Sequence, residues 1–298
     1  MVDIIPLNSL QSLPFHGLTY ASLQHLLFSA GNGEVTAVGA RSDGQAVGLA
    51  VALRLPHKGF TRIGSLFVAE SHRRQGIGTR LLGVLEEQLR AQGVERMEIS
   101  YQTGRTTSAA PPRLLARLGW PEPQPDRLIC RCDRRMLDSP WLREYPVPKE
   151  GQVISWFDVT AEEIEALKAT QAEDPWIPPS LRPWEYQGVQ FNSVALRLKG
   201  AIMGWVQTQR FNSTTLIYSN SYMHPRLQRT ARILPLYVAA VRKHSEDLSL
   251  PNAIWVVPFI HPTMVRFVRS WMAPYMNRVE ELRVSTKELA ASASAQSA

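Results

Sequence analysis

Arg73-Arg74-Gln75-Gly76-Ile77-Gly78 joins a short apolar run to a long amphipathic one, an arrangement suited to holding a multiply charged anion. The first turn of a helix carries unpaired main-chain N–H groups and the positive end of the peptide dipole, and glycines keep Cβ atoms away from whatever approaches. The spacing excludes two common phosphate binders. A dinucleotide fingerprint needs a third glycine where Leu81 stands, and a nucleotide P-loop needs Gly-Lys-Ser/Thr where this chain has Gly78-Thr79-Arg80. What fits is R-x-x-G-x-G, carried by Arg73, Gly76 and Gly78. So short a pattern has weight only through its flanks.

Those flanks are a buried strand, 63–68, and a helix that places Ile77, Leu81, Leu82, Leu85 and Leu89 on one side and stops near Gly93. Around them the first half reads as a strand at Val2–Leu7, a mostly helical stretch at 18–28 and a break at Gly31-Asn32-Gly33. A meander of three strands follows, 35–41, 45–55 and 60–68, turned at Ser42-Asp43-Gly44 and Pro56-His57-Lys58-Gly59. A strand at 94–101, a short helix at 113–118 and a closing strand at 127–131 complete it.

Motif and element order together resemble the GNAT superfamily of acetyl-CoA-dependent N-acetyltransferases, over residues 1 to about 135. The resemblance implies an α/β fold, a mostly antiparallel central sheet flanked by helices, with acetyl-CoA as cosubstrate in a wedge between the fourth and fifth strands, here 63–68 and 94–101. It implies that the main chain of Phe67 and Val68 pairs with the pantetheine arm, that an N–H near Val68 faces the thioester oxygen, and that amides among Arg73, Arg74, Gln75, Gly76, Ile77, Gly78 and Thr79 hold the diphosphate. Glu70, and after it His72, stand where a base could relay a proton through water. The family often has a tyrosine four residues before a Gly-aromatic pair; Gly119-Trp120 supplies the pair, but Leu115 holds the tyrosine's place. Tyr101 is the substitute acid. The expected reaction moves an acetyl group to an amine of a small molecule, peptide or protein by direct attack on the thioester, and requires no metal. A larger acyl group or a hydroxyl acceptor fits these residues too. The alternative, favoured by Leu115, is a non-catalytic acyl-CoA-binding or scaffolding protein.

Past a stretch containing Pro140, Pro146, Pro148 and Gly151, the same grammar restarts. A strand at 153–158 leads to Thr160-Ala161-Glu162-Glu163, a capping box. A second meander follows at 194–198, 201–209 and 215–223, then a helix at 234–244, a strand at 253–257, a helix at 264–272 and a strand at 278–284. The expected organisation is a GNAT domain at 1–137, a linker at 138–152, a degenerate GNAT-like domain at 153–289 and a disordered Ala/Ser tail at 290–298. When Val68 is set against Met223, Arg73 falls on Gln228, while Gly76 and Gly78 fall on Ala231 and Ile233. A β-branched side chain at the last position obstructs a phosphate, so the second copy is expected to bind acetyl-CoA poorly. Its aromatic segment 174–186 either lines a cleft between domains or anchors itself to its own domain.

Length and composition agree with this reading. A chain of 298 residues, 44% hydrophobic and 20% charged, has room for two cored domains. No apolar run is long enough to span a membrane and the start lacks a secretory pattern, so a soluble, cytoplasmic protein is expected. Cys130 and Cys132 are too close for an easy disulfide and too few for structural zinc, and read as free thiols. The net charge of +7 suits an anionic ligand such as CoA. With no long Lys/Arg run, nucleic acid is not the expected partner. Nothing in the sequence fixes an oligomeric state.

Overall fold

Asp43 and Gly44 both have positive φ, and so do Lys199 and Gly200. Two such residues in a row form the tight turn whose twist matches that of antiparallel strands, so each half of the chain has a hairpin fixed by its turn chemistry. The computed structural model describes residues 1–55, 59–104, 110–228 and 232–289. Most of the expected turn at 56–59, the expected tail 290–298 and Ala231 lie outside them.

Two compact units result, one of residues 1–126 with 282–298 and one of 127–281. The first contains β1 (Val2–Leu7), β2 (Val35–Ser42), β3 (Gln45–Leu55), β4 (Phe60–Val68) and β5 (Arg96–Gln102), together with most of the final strand, β12 (Arg278–Glu288). They lie in the order β1-β2-β3-β4-β5-β12, with only β4 and β5 parallel. The expected helical stretch is a short helix, α1 (Ala21–Gln24), between 3₁₀ turns at Leu13–Leu18 and His25–Ser29. On one face Phe15 and Leu27 pack onto Leu7, Ala37, Leu49 and Val51. On the other, α2 (Ile77–Ala91) buries Ile77, Leu81, Leu82, Leu85 and Leu89 against Val38, Ala50 and Met97, with α3 (Ala110–Arg117) beside it. Each of those side chains contributes roughly 2 kcal/mol, which fixes where the start of α2 sits.

The closing strands are exchanged relative to expectation. Residues 282–288 of β12 pair antiparallel with β5, whereas 127–132 of β6 (Gln124–Cys132) pair with β11 (Asn252–Pro258) in the second unit. Buried polar chemistry sets this choice. Lys287 Nζ donates to Glu86 Oε2 at 2.6 Å and to the Leu118 carbonyl at 2.6 Å, while Trp120 Nε1 donates to Glu86 Oε1 at 2.6 Å. Ser285 Oγ donates to the Pro121 carbonyl. Glu86 is 5% exposed, so its charge depends on the lysine that β12 brings. The boundary expected at 138–152 follows the sequence repeat, but packing divides the chain at 126/127 and 281/282.

The second unit adds β7 (Gly151–Ser155), β8 (Val194–Leu198), β9 (Ala201–Asn212) and β10 (Thr215–Met223) in the order β6-β11-β10-β9-β8-β7. Its helices are α4 (Ala161–Glu173), opened by the Thr160/Glu163 capping box, α5 (Pro225–Gln228), α6 (Leu234–Glu246) and α7 (Pro262–Phe267), which continues into a π turn. Trp141, within the expected linker, is buried edge-on against Trp255 and Phe267. Trp176 and Trp184 pack on Leu167, Ile177 and Trp205, so the aromatic segment anchors to its own unit. Cys130 and Cys132 are free and buried, which pushes both thiols up to about 12. Among the described residues no helix is long and apolar enough to cross a membrane.

Candidate functional site

One glycine separates two strands. Ile63 of β4 faces Ala52 of β3 and Ser65 faces Val51, so Gly64 is an extra residue, a β-bulge. Parallel pairing of β4 with β5 runs through Thr61↔Met97, Arg62↔Glu98 and Ile63↔Ile99 and stops there. A bulge bends its strand and increases its twist, and here the bend coincides with the parting. Before it, Arg62 grips Glu98 through Nε and Nη2 at 3.1 and 2.8 Å. Beyond it, 64–68 have no β5 partner and a gap opens between the strands. The Ala69 N–H donates to the Val47 carbonyl at 2.8 Å, towards β3. Across a planar trans peptide the C=O points opposite to the N–H, so the Val68 carbonyl faces the gap, and the Val68 N–H shares its side of the strand.

The chain then turns into α2 through residues whose N–H groups lack partners. The first helical bond is Arg80 N–H to the Gly76 carbonyl at 3.1 Å, and among the described residues the N–H groups of 74–79 make no hydrogen bond within the protein. Arg74 and Gly76 have φ of 64° and 77°. Left-handed residues within such a turn direct main-chain amides into a concavity that takes an anion, and the dipole of α2 adds to it. At Gly76 a Cβ would meet nothing within 4 Å, so the conformation is what requires glycine. At Gly78 a Cβ would lie 3.2 Å from Leu114 Cδ1, so the close packing of α3 also favours glycine there. Cradle and gap together fit a diphosphate carried on an extended arm.

The titratable residues are unevenly placed. Glu70 is exposed and opens a 3₁₀ turn, with its carbonyl accepting from the Arg73 N–H, and His72 Nδ1 lies 2.9 Å from Ser71 Oγ. Tyr101 is half-buried in β5 and packs on the core against which Leu66, Val68 and Leu114 also lie. Burial pushes its hydroxyl above the usual tyrosine range; the Arg283 charge opposes this and Glu122 adds to it. The group is therefore protonated at neutral pH and able to donate. Leu115 is buried in the core. Phe67 is 36% exposed, and Val68 is half-buried. Nearby, Arg73 Nε donates to the Val68 carbonyl and Arg80 Nη2 to the Val2 carbonyl. Sequence reasoning missed Arg283, which β12 sets opposite Tyr101, because no local pattern links residues so far apart in the chain.

Residues 7–120 match the model of the Acetyltransferase (GNAT) family, and this segment contains the bulge, the gap and the amide cradle. Two solved structures extend the likeness to almost the whole chain. A tandem GNAT protein from the clavulanic acid biosynthesis pathway is 15% identical, with 97% of this chain and 98% of that chain covered at a TM-score of 0.60. A GCN5-related N-acetyltransferase from Sphaerobacter thermophilus is 14% identical, with 96% and 95% covered at a TM-score of 0.52. At such identities the likeness is one of fold. No curated protein matches the chain. Residues 7–120 thus match a GNAT acetyltransferase domain, and the chain as a whole shares the fold of tandem GNAT structures.

Proposed function

We propose that the chain is an acetyl-CoA-dependent N-acetyltransferase, with the cosubstrate in the first unit. The observation that carries this is the conjunction of a β4/β5 gap with a run of unpartnered amides at the start of α2. Acetyl-CoA supplies a thioester-activated acetyl group. The amides of 74–79 hold its diphosphate, the β4 edge at Phe67 and Val68 aligns its arm, and the Val68 N–H stabilises charge on the thioester oxygen. Tyr101, protonated at neutral pH, returns a proton to the departing sulfur, and Glu70 takes one from the amine through water. By sequence repeat the domains are 1–137 and 153–289 joined at 138–152, and the second, with Ile233 where a glycine is needed, binds acetyl-CoA poorly and helps shape the acceptor site or supports the pair. The acceptor is an amine of a small molecule, peptide or protein. Two buried thiols accord with a reducing, cytoplasmic setting.

The core position of Leu115 favours a second reading, an acyl-CoA-binding protein without turnover. Calorimetry with acetyl-CoA and a thiol-release assay over amine and peptide acceptors separate the two. Micromolar binding with thiol release supports the enzyme, and binding with no release on any acceptor supports the alternative. An unchanged kcat/KM across pH in Glu70→Gln removes Glu70 from the scheme.

A further inference from the structure

We infer that Arg73 is a positioning residue: its guanidinium braces the lip of the β4/β5 gap by hydrogen bonding, and its positive charge is not what the site uses. The inference rests on the acyl-CoA reading above. Arg73 Nε donates at 3.1 Å to the Val68 carbonyl, the carbonyl that faces the gap. In the second unit Gln228 Nε2 donates at 2.8 Å to the Met223 carbonyl, again reaching five residues back.

The two contacts are structurally equivalent. Val68 pairs with Gly48, and Met223 pairs with Gly204. The Ala69 N–H bonds the Val47 carbonyl at 2.8 Å, and the His224 N–H bonds the Met203 carbonyl at 2.8 Å. Ser219 is the bulge that answers Gly64, and parallel pairing ends at Ile63↔Ile99 in one unit and Tyr218↔Trp255 in the other. An arginine and a glutamine thus do the same thing at the same place. What they share is an N–H at the end of a long side chain; they do not share a charge. The bond closes a ring from Val68 to Arg73, satisfies a strand-end carbonyl that has lost its neighbour strand, and fixes the direction in which the chain enters 74–79. Gln228 makes the contact without a charge, so the brace itself needs none.

The test compares Arg73→Gln with Arg73→Met in the full chain. Hydrogen exchange of 68–79 in the free protein reads the brace, and calorimetric acetyl-CoA affinity at low and high salt reads its consequence. Arg73→Met is expected to speed exchange and weaken binding, each by about tenfold, the scale of one hydrogen bond. Arg73→Gln is expected to stay within about twofold of the parent in both, with an unchanged salt dependence. Equal weakening in both variants with a shallower salt dependence would make Arg73 a phosphate cation and overturn the inference, as would exchange and affinity unchanged in Arg73→Met. If the parent chain binds no acetyl-CoA, the acyl-CoA reading falls, and the exchange rates still decide whether Arg73 is a brace.

Discussion

The gap between β4 and β5 and the gap between β10 and β11 open at equivalent bulges, yet they differ in what stands at their ends. In the first unit Ile63 and Ile99 form the last pair, and the chain runs on into residues whose amides are free. In the second, Tyr218 and Trp255 fill the apex, stacked at 4.2 Å; Tyr237 lies 4.9 Å from Trp255 and shares a 2.6 Å hydrogen bond with Ser221. Ile233, at the place of Gly78, has a right-handed φ of −77° and packs on the core. The scaffold of sheet, bulge and braced strand end is common to both units. What separates them is a few side chains at the mouth, so a fold can keep its geometry after the chemistry of its entrance has changed.

The largest contrast between the units should come from the helix starts. Replacing Gly76 and Gly78 together with Glu puts an L-residue at φ 77°, a Cβ against Leu114 and two charges into the cradle. Acetyl-CoA affinity should fall on the order of a thousandfold, whereas Ile233→Glu in the second unit should leave it unchanged. Calorimetry on the two variants checks this, and equal losses would erase the distinction. Next is Lys287→Met, which leaves Glu86 buried without its cation and should cost about 3 kcal/mol in denaturant unfolding. The loss should fall on the first unit, with exchange protection in β9 and β10 retained.

Tyr101→Phe should lower kcat by about 10²-fold with little change in KM if its proton is used, and steady-state kinetics reads the split. The smallest effect concerns the second unit. Burial depresses the pKa of His244, whose ring nitrogens lie 3.3 Å from the Tyr218 hydroxyl and 2.8 Å from the Leu250 carbonyl. The unfolded chain therefore binds the extra proton more readily, so the stabilising contribution is full above pH 6.5 and is lost as pH falls through the lower folded value. In His244→Gln the stability curve should lose that acid-side slope, as followed by thermal unfolding from pH 7 downwards.

Much of this architecture is legible locally. The strands Gln45–Leu55, Phe60–Val68, Val194–Leu198 and Thr215–Met223 fall where turn residues and apolar alternation put them, and the Thr160 capping box opens α4 as its spacing requires. The cradle at 74–79 follows from glycine placement before an amphipathic run. The partners of β6 and β12 could not be read in that way. Both strands alternate apolar and polar residues and either would suit either sheet; the choice depends on Lys287 meeting Glu86, 201 positions apart. Gly64 looked like one more strand residue because a bulge is defined by its partner strand. The packing of Gly78 against α3 was likewise illegible, because it depends on Leu114 passing over it.

The placement of 282–288 along β5 also has a consequence for biosynthesis. As the polypeptide leaves the ribosome, the unit that presents the amide cradle must wait for more than 150 further residues before its sheet is closed, and until then the outer edge of β5 offers unpaired main-chain groups to any passing strand. Folding of the two halves is therefore not sequential: the half made first is finished last.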